Sequence, residues 1–260
     1  MKKKLICFGL ALTFAMSNFS ALAFASDEWI SGWTGKEGGK GFTIEENSDK
    51  IVLSNDKANN GKFSDGEDSI VYYANKVSAD ADFEFSATVS IDEYNTLEES
   101  SNPQQGSVGL AVLDSLYNKT DDIAFDDAVF VGSYGEKKDS EHSICAITRD
   151  GKDTKTVVES LSDSFANTGS DIAVFDLSIV KKGSAYTLSC GDKSTTVEMK
   201  KLEDDIFPCL YIARNAKATF SNVSLKVDSR KAVSLELEGD YQKEYIYGDP
   251  LDISSLRGTV

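Results

Sequence analysis

Apolar and polar residues alternate along much of the chain, and this period of two constrains the fold more than any other feature. In FEFSATVSI the apolar positions are Phe83, Phe85, Ala87, Val89 and Ile91, with small or charged residues between them. AVFDLSIV at residues 173–180 repeats the pattern. Alternation of this kind predicts β-strands with one buried face.

Other segments complete an all-β prediction. GLAVL at 109–113 and AVFVG at 128–132 are apolar on both faces, as expected of strands at the centre of a sandwich. Turn signals such as Asp150-Gly151, Lys182-Gly183 and Gly191-Asp192 separate the runs. No segment shows amphipathic helical spacing over ten residues or more. About a dozen short strands between residues 40 and 228 predict a jelly-roll β-sandwich.

The two ends of the chain differ from this pattern. Lys2, Lys3 and Lys4, the apolar run after them and the small residues of SALAFAS predict an export signal cleaved after Ala25. In ATFSNVSLKV the apolar parity changes, which predicts a β-bulge at Ser221-Asn222. The polar stretch DSRKA then predicts a domain boundary near Ser229.

The net charge excludes some partners. The full chain carries −16, and removing residues 1–25 takes away three lysines and no acid. A protein with this much negative charge repels nucleic acid and anionic lipid. We therefore expect neither nucleic-acid binding nor membrane insertion. Cys145, Cys190 and Cys209 remain after export, each in an apolar run. Buried free thiols are favoured over one disulfide plus one thiol, although the residues leave both open.

Longer segments carry a family resemblance. NNGKFSDGEDSIVYYANKVSADADFEFSATVSIDEYN, QQGSVGLAVLD, FVGSYG and YIARNAKATFSNVSLKV together resemble the concanavalin A-like β-sandwich modules of secreted bacterial polysaccharide-active proteins, particularly those attached to pectate-lyase-type enzymes. The resemblance covers about residues 40–228. It implies a lectin-like accessory module with a polysaccharide as its partner.

The last residues resemble a different family. VSLELEGDYQKEYIYGDPLDISSLRGTV is similar to the opening of a bacterial immunoglobulin-like domain, with Tyr245, Gly248, Asp249 and Leu251 at the matching turn. Such a sandwich has up to ~100 residues, so only its first part is expected here. The predicted organisation is a signal peptide at 1–25, a concanavalin A-like sandwich at 26–229 and a truncated immunoglobulin-like domain at 230–260. We expect a monomeric module of a longer, multi-domain chain.

No catalytic constellation is evident in these residues. Glu238, Asp240 and Glu244 approach the carboxylate spacing of some glucanases, but the spacing is one residue too long and includes a turn glycine. A Ser-His-Asp triad would have to use His142, the single histidine, which lies in the charged stretch KKDSEHSIC and is expected to be a solvated loop residue. We therefore predict that these residues include no catalytic residue.

Acidic clusters leave a structural calcium ion open. SDGEDS carries Asp65, Glu67 and Asp68, and TDDIAFDD carries four aspartates. Carboxylate oxygens of this kind suit Ca²⁺, yet neither cluster matches a calcium-loop motif, and solvated loop charge is favoured.

Aromatic side chains are the candidate sugar contacts, because a pyranose ring stacks its apolar face on them. Tyr117 in LYNKTDD and Tyr134 in GSYGEKK are predicted loop residues and therefore the best candidates, together with Trp33. Core or rim packing is the alternative for each. Tyr72 and Tyr73 are adjacent on one predicted strand, so they should point to opposite faces.

The chain is therefore interpreted as a secreted, non-catalytic, lectin-like module of a bacterial polysaccharide-degrading protein, with cell-surface attachment left open. One alternative is a structural or adhesive spacer without sugar affinity. Another is the first part of a polysaccharide lyase or glycoside hydrolase whose catalytic domain lies beyond Val260. A groove lined with Tyr or Trp would favour binding, and a flat face of Ser, Thr and Lys would favour the spacer.

Overall fold

The computed structural model describes residues 29–34, 42–55, 70–96, 106–116, 127–134, 141–151, 155–200, 202 and 205–228, and every regular element in those ranges is a β-strand. The strands are β1 (Ile30–Trp33), β2 (Phe42–Glu46), β3 (Lys50–Asn55), β4 (Val71–Ala74), β5 (Val77–Ser78), β6 (Asp82–Tyr94), β7 (Ser107–Leu113), β8 (Ala128–Tyr134), β9 (Ser143–Arg149), β10 (Lys155–Ser160), β11 (Gly169–Lys182), β12 (Ala185–Cys190), β13 (Lys193–Glu198), β14 (Asp205–Ala213) and β15 (Ala216–Asp228). The predicted signal peptide, the segment 230–260 and Tyr117 lie outside the described residues.

The strands form two antiparallel sheets that pack face to face. The eight-stranded sheet has the order β1-β4-β14-β7-β8-β9-β10, with β5 also paired to β14. The seven-stranded sheet has the order β13-β12-β11-β6-β15-β3-β2. The chain moves between the sheets after β1, β3, β5, β6, β10, β13 and β14. The predicted all-β jelly-roll sandwich is confirmed.

Alternation places the core between the sheets. The apolar residues of β6 are all buried there, including Phe85 and Ile91, while the residues between them are exposed or half-buried. Leu177 and Ile179 of β11 pack beside them in register with Ala87 and Phe85. The strand predictions for residues 83–91 and 173–180 are therefore correct in both type and facing.

The eight-stranded sheet is buried on its outer face as well. All of β7 and nearly all of β8 are buried, as their continuous apolar runs predicted. Tyr73 faces the core between the sheets and Tyr72 the outer face, so the prediction of opposite directions is confirmed. Gly109 and Gly132 lie opposite each other on β7 and β8. A methyl group at Gly132 would overlap the hydroxyl of Tyr211, so this glycine makes room for a phenol ring.

Local predictions are also confirmed. The register of β15 against β6 shifts between Ser221 and Ser224, with Asn222 at φ 51°, which is the expected bulge. Gly183 and Gly191 have positive φ angles and close the turns of the β11–β12–β13 meander. Cys145, Cys190 and Cys209 are free and buried.

Three of the crossings between the sheets are tied together at one end of the sandwich by Asn95. Its side chain accepts a hydrogen bond from the Gly106 amide at 2.8 Å and donates one to the Asn167 carbonyl at 2.7 Å. Its backbone amide donates to Asn215 at 2.8 Å, and its carbonyl accepts from the Thr168 hydroxyl at 2.8 Å. These partners lie on the β6–β7, β10–β11 and β14–β15 connections, so one residue holds three separate chain segments in place.

The role of Asn95 can be divided into its side chain and its backbone conformation, because its φ angle is 52°. Asn95→Gly keeps the left-handed backbone accessible but removes two side-chain hydrogen bonds, and it should cost about 1–3 kcal/mol of unfolding free energy. Asn95→Ala adds the strain of a Cβ at positive φ and should cost about 1–2 kcal/mol more. Urea unfolding of both variants measures the two contributions.

Asn222 is the matched control, because it has a similar φ of 51° but lies exposed at the bulge. Asn222→Ala should show the backbone cost without the loss of the tie. Equal destabilisation by Asn95→Ala and Asn222→Ala would show that the hydrogen bonds of Asn95 contribute nothing.

Candidate functional site

The structure places two of the three predicted sugar-binding aromatics. Tyr134 is the last residue of β8 and pairs with Ser143 of β9, so its assignment to a loop was wrong. The strand AVFVGSY extends through Tyr134 because its pairing with β9 continues to Ser143. The ring of Tyr134 packs, partly buried, against the cluster on the outer face of the eight-stranded sheet. Trp33 is half-buried on the edge strand β1, opposite Val71.

These aromatics do not form a common platform. Trp33 and Tyr134 belong to strands separated by four steps of the eight-stranded sheet, which is about 19 Å at the usual strand spacing. Trp33 is in register with the inward-facing Val71, whereas Tyr134 belongs to the outer face. Trp33 and Tyr134, the two predicted contacts that the structure describes, would therefore have to act separately.

His142 contradicts the sequence expectation. It is fully buried rather than solvated, and it forms an isolated bridge with Phe165. The misassignment has a physical reason: the charged residues before His142 suggested a loop, but Ile144, Ala146 and the rest of β9 draw the histidine into the space between the sheets. A side chain with no exposed area cannot contact a substrate in this structure.

A buried hydrogen-bond network surrounds His142. The Tyr94 hydroxyl lies within hydrogen-bond distance of three groups: the Gly106 carbonyl, the Ser133 hydroxyl at 3.0 Å and His142 Nδ1 at 2.7 Å. Ser133 in turn accepts from the Val108 amide at 2.8 Å. Burial raises the pKa of Tyr94 well above its usual range, so the phenol stays protonated.

The proton positions in this network follow from the donors available. A phenol has one proton and the Gly106 carbonyl can only accept, so the Tyr94 proton is directed to Gly106. The Ser133 hydroxyl and His142 Nδ1 lie 3.0 Å and 2.7 Å from the same phenol oxygen. The tyrosine, serine and histidine therefore form a structural lock between the sheets, and their arrangement lacks the exposed nucleophile that acyl-transfer catalysis needs.

The outer face of the seven-stranded sheet is the exposed face of the sandwich. Its outward side chains are mainly short and polar, and all the aromatic residues on the described strands of this sheet belong to the core cluster instead. Neighbouring strands even bring five serines into one continuous register, namely Ser194, Ser189, Ser178, Ser86 and Ser224. This face lacks the aromatic platform on which sugar rings usually stack.

A polar depression of about 490 Å³ interrupts this face near Asp92. The register of β6 shifts against both neighbours here, between Ser170 and Ala173 of β11 and between Lys217 and Ala218 of β15. The carboxylate of Asp92 accepts hydrogen bonds from Ser90 at 2.7 Å and from Thr219 at 2.6 Å. Sequence reasoning missed this feature.

Of the acidic residues proposed as calcium ligands, the structure describes only Asp127. Asp127, from the second acidic cluster, accepts a hydrogen bond from the Gly151 amide at 2.7 Å and lies 3.6 Å from the Lys200 ammonium group. A neighbouring cation makes this carboxylate a poor calcium ligand. Within the ranges that the structure describes, no group of three or more His, Cys, Asp or Glu side chains could hold a metal ion. The other acids of both clusters lie outside those ranges, namely Asp65, Glu67, Asp68, Asp121, Asp122 and Asp126.

Comparison with known proteins gives one sequence relative. The chain is 29% identical over 272 residues to "Pectate lyase L" of Thermoclostridium stercorarium, an alignment that covers 98% of this chain and 20% of that protein. The chain therefore spans about a fifth of the length of this curated relative. No protein-family model matches the sequence. The described residues include no helix long and apolar enough to cross a membrane.

Solved structures show a low level of overall likeness. An alginate lyase from Alteromonas sp. 272 has a TM-score of 0.44 at 12% identity, covering 72% of this chain and 93% of that one. Carbohydrate-binding module CBM66 from Bacillus subtilis has a TM-score of 0.40 at 12% identity, covering 76% and 96%. These values are too low to support an argument about function.

Removal of the Tyr94 hydroxyl tests the buried lock. Tyr94→Phe leaves Gly106, Ser133 and His142 without the group they share, so it should lower the unfolding free energy by about 1–3 kcal/mol. In a double-mutant cycle with Ser133→Ala, the two losses should fail to add, because both remove the same hydrogen bond. Strict additivity in chemical denaturation would show that the two hydroxyls are not coupled.

Thiol reactivity tests the state of the cysteines. Burial raises the pKa of Cys190 to about 11 and also raises the pKa of Cys209, so neither forms much thiolate at pH 8. A thiol reagent at pH 8 should leave Cys145, Cys190 and Cys209 unmodified in the folded protein and label all three in guanidinium without reductant. Peptide mapping by mass spectrometry would reveal any disulfide as two unlabelled positions.

Proposed function

We propose that this chain is a secreted, non-catalytic, lectin-like module that holds a larger polysaccharide-degrading protein on its glycan. The observation that carries the proposal is the similarity of 98% of this chain to one fifth of Pectate lyase L. A segment of that size within a long lyase is consistent with an accessory role beside a separate catalytic part. The β-sandwich supplies a rigid scaffold for such a role.

The described chemistry supports a role without turnover. The single histidine is sealed between the sheets, and its neighbours Tyr94 and Ser133 are buried with it. Tyr94 is held protonated by burial, so it cannot act as a general base near neutral pH. The near-match of carboxylates at Glu238, Asp240 and Glu244 lies outside the described residues.

The sugar contacts proposed from sequence are Tyr117, Tyr134 and Trp33. Tyr134 is half-buried at the end of β8, where one edge of its ring can remain accessible at the rim of the sandwich. Trp33 lies on an edge strand, so it has a strand neighbour on one side only among the described residues. Because the two rings are far apart, we expect weak, separate contacts rather than one deep subsite.

The proposed organisation places a boundary near Ser229, directly after β15 ends at Asp228. Residues 230–260 are proposed to begin an immunoglobulin-like domain. Export of the protein rests on residues 1–25. A catalytic domain beyond Val260 would make the whole protein a lyase or hydrolase without changing the role of this module.

A structural spacer is the second candidate, and one observation favours it. The outer face of the seven-stranded sheet is polar and without aromatic rings on its described strands, which is the surface expected of a spacer. In this case the module would hold neighbouring domains apart and have no affinity for sugar.

Affinity electrophoresis in gels that contain neutral plant glycans or polygalacturonate tests the proposal. We expect retardation of the wild-type protein, with Tyr134→Ala weakening the affinity about fivefold, since a stacked ring contributes on the order of 1 kcal/mol beyond its buried area. No increase of unsaturated or reducing ends should appear on any of these glycans.

Trp33→Ala and Tyr117→Ala test the other two proposed sugar contacts in the same gels. Tyr186 is buried in the core, so Tyr186→Phe is the control that should not change retardation. Unretarded migration of the wild-type protein in every gel would favour the spacer. Product formation that disappears on substitution of acids in this chain would contradict the non-catalytic assignment.

A further inference from the structure

The polar depression on the outer face of the seven-stranded sheet has the features of a ligand site. We propose that it binds a neutral glycan through hydrogen bonds to the Asp92 carboxylate and the Lys217 ammonium group. This inference rests on the proposed function and names the subsite and the ligand class. It also assigns a role to the outer face of the seven-stranded sheet, whose described strands present no aromatic ring there.

The depression has a defined floor. Val52 of β3 lies directly opposite Thr219 of β15, and both are half-buried. Their methyl groups form a small apolar surface between two lysines. Lys217 lies two residues before Thr219, and Lys50 lies opposite Ser221, two residues after it. The backbone positions of the two lysines are therefore about 14 Å apart along the strands.

Asp92 is oriented before any ligand arrives. The hydroxyls of Ser90 and Thr219 each donate to one of its oxygens, at 2.7 Å and 2.6 Å. A carboxylate has about four lone-pair sites, so two of them stay free for hydroxyl donors of a ligand. Because the side chain is already fixed, its ordering does not reduce the binding free energy.

The same strand shift that opens the depression aims its side chains. Between Ile91 and Glu93, β6 has one residue, Asp92, where β15 has none. On the other side, β11 has two residues opposite Asp92, which is one more than β6. Bulges on both sides turn Asp92 and Glu93 out of the regular alternation. Lys217 lies 3.7 Å from Glu93, so its ammonium group is held at the rim.

Charge selects the ligand class. Four carboxylates and two ammonium groups line the depression, an excess of two negative charges within a chain of net charge −16. This arrangement repels a polyuronate, whereas a neutral glycan can donate hydroxyls to carboxylates and accept from lysines without that cost. The methyl floor fits the apolar face of a pyranose ring.

The chain offers matched controls on the same sheet face. Asp176 accepts a hydrogen bond from Thr88 at 2.7 Å, much as Asp92 accepts from Thr219, but it does not line the depression. Lys226 lies 3.7 Å from Glu84, the same separation as Lys217 from Glu93, and it is also outside. Asp176→Asn and Lys226→Met therefore repeat the chemistry of the test variants at neutral positions.

The experiment is affinity electrophoresis and calorimetric titration of the whole chain with xyloglucan, galactomannan and polygalacturonate as probes. Asp92→Asn and Lys217→Met should each weaken binding to a neutral glycan by at least about tenfold, the loss expected of one charge-assisted hydrogen bond. Asp176→Asn and Lys226→Met should stay within about twofold. Thermal unfolding checks that the variants fold. If Asp92→Asn does not fold, the affinity of Lys217→Met alone tests whether the depression binds the glycan.

The failures are distinguishable. If the wild-type chain binds a neutral glycan and both test variants bind equally well, the depression is not the site, although the proposed function stands. If polygalacturonate binds and the neutral glycans do not, the ligand class is wrong. If no probe binds, both the subsite and the accessory binding function are overturned.

Discussion

The pair Tyr94-Asn95 at the end of β6 is the constraint on which the rest of the sandwich depends. Tyr94 points between the sheets and joins β7, β8 and the start of β9 through one hydroxyl. Asn95 points along the end of the sandwich and joins three chain crossings. Two adjacent residues thus fix both the spacing of the sheets and the path of the chain between them. Burial of the sheet faces alone does not fix the path of the β6–β7, β10–β11 and β14–β15 connections, because those connections lie at the end of the sandwich.

Much of the fold could be predicted from the sequence because alternation reports burial directly. β6 and β11 were predictable from period two, and the buried runs of β7 and β8 from their continuous apolar character. His142 was predicted wrongly, since the pattern describes the polarity of a segment and not the partners that a polar side chain finds after folding. Its place depends on Tyr94, 48 residues away in sequence.

The candidate site was less predictable, for a related reason. Tyr134 was identified by residue type, but its strand position depends on pairing with Ser143. The depression around Asp92 leaves a faint signal: apolar residues recur at every second position up to Ile91 and then at Tyr94, three residues later. That break indicates a bulge in β6, but most of the lining of the depression comes from β2, β3, β11 and β15, which are distant in sequence.

The position of the last two strands has a consequence for biosynthesis. β14 lies between β4 and β7, and β15 lies between β6 and β3, so the final strands are interior members of both sheets. The eight-stranded sheet cannot close on the ribosome until residue 213 has left the exit tunnel, and the seven-stranded sheet cannot close until residue 228 has done so. Folding of the sandwich therefore waits for its last two strands and is dominated by distant pairings, which are slow to form. Until then β3, β4, β6 and β7 each expose an unpaired edge, so this chain should depend on chaperones while it is being made.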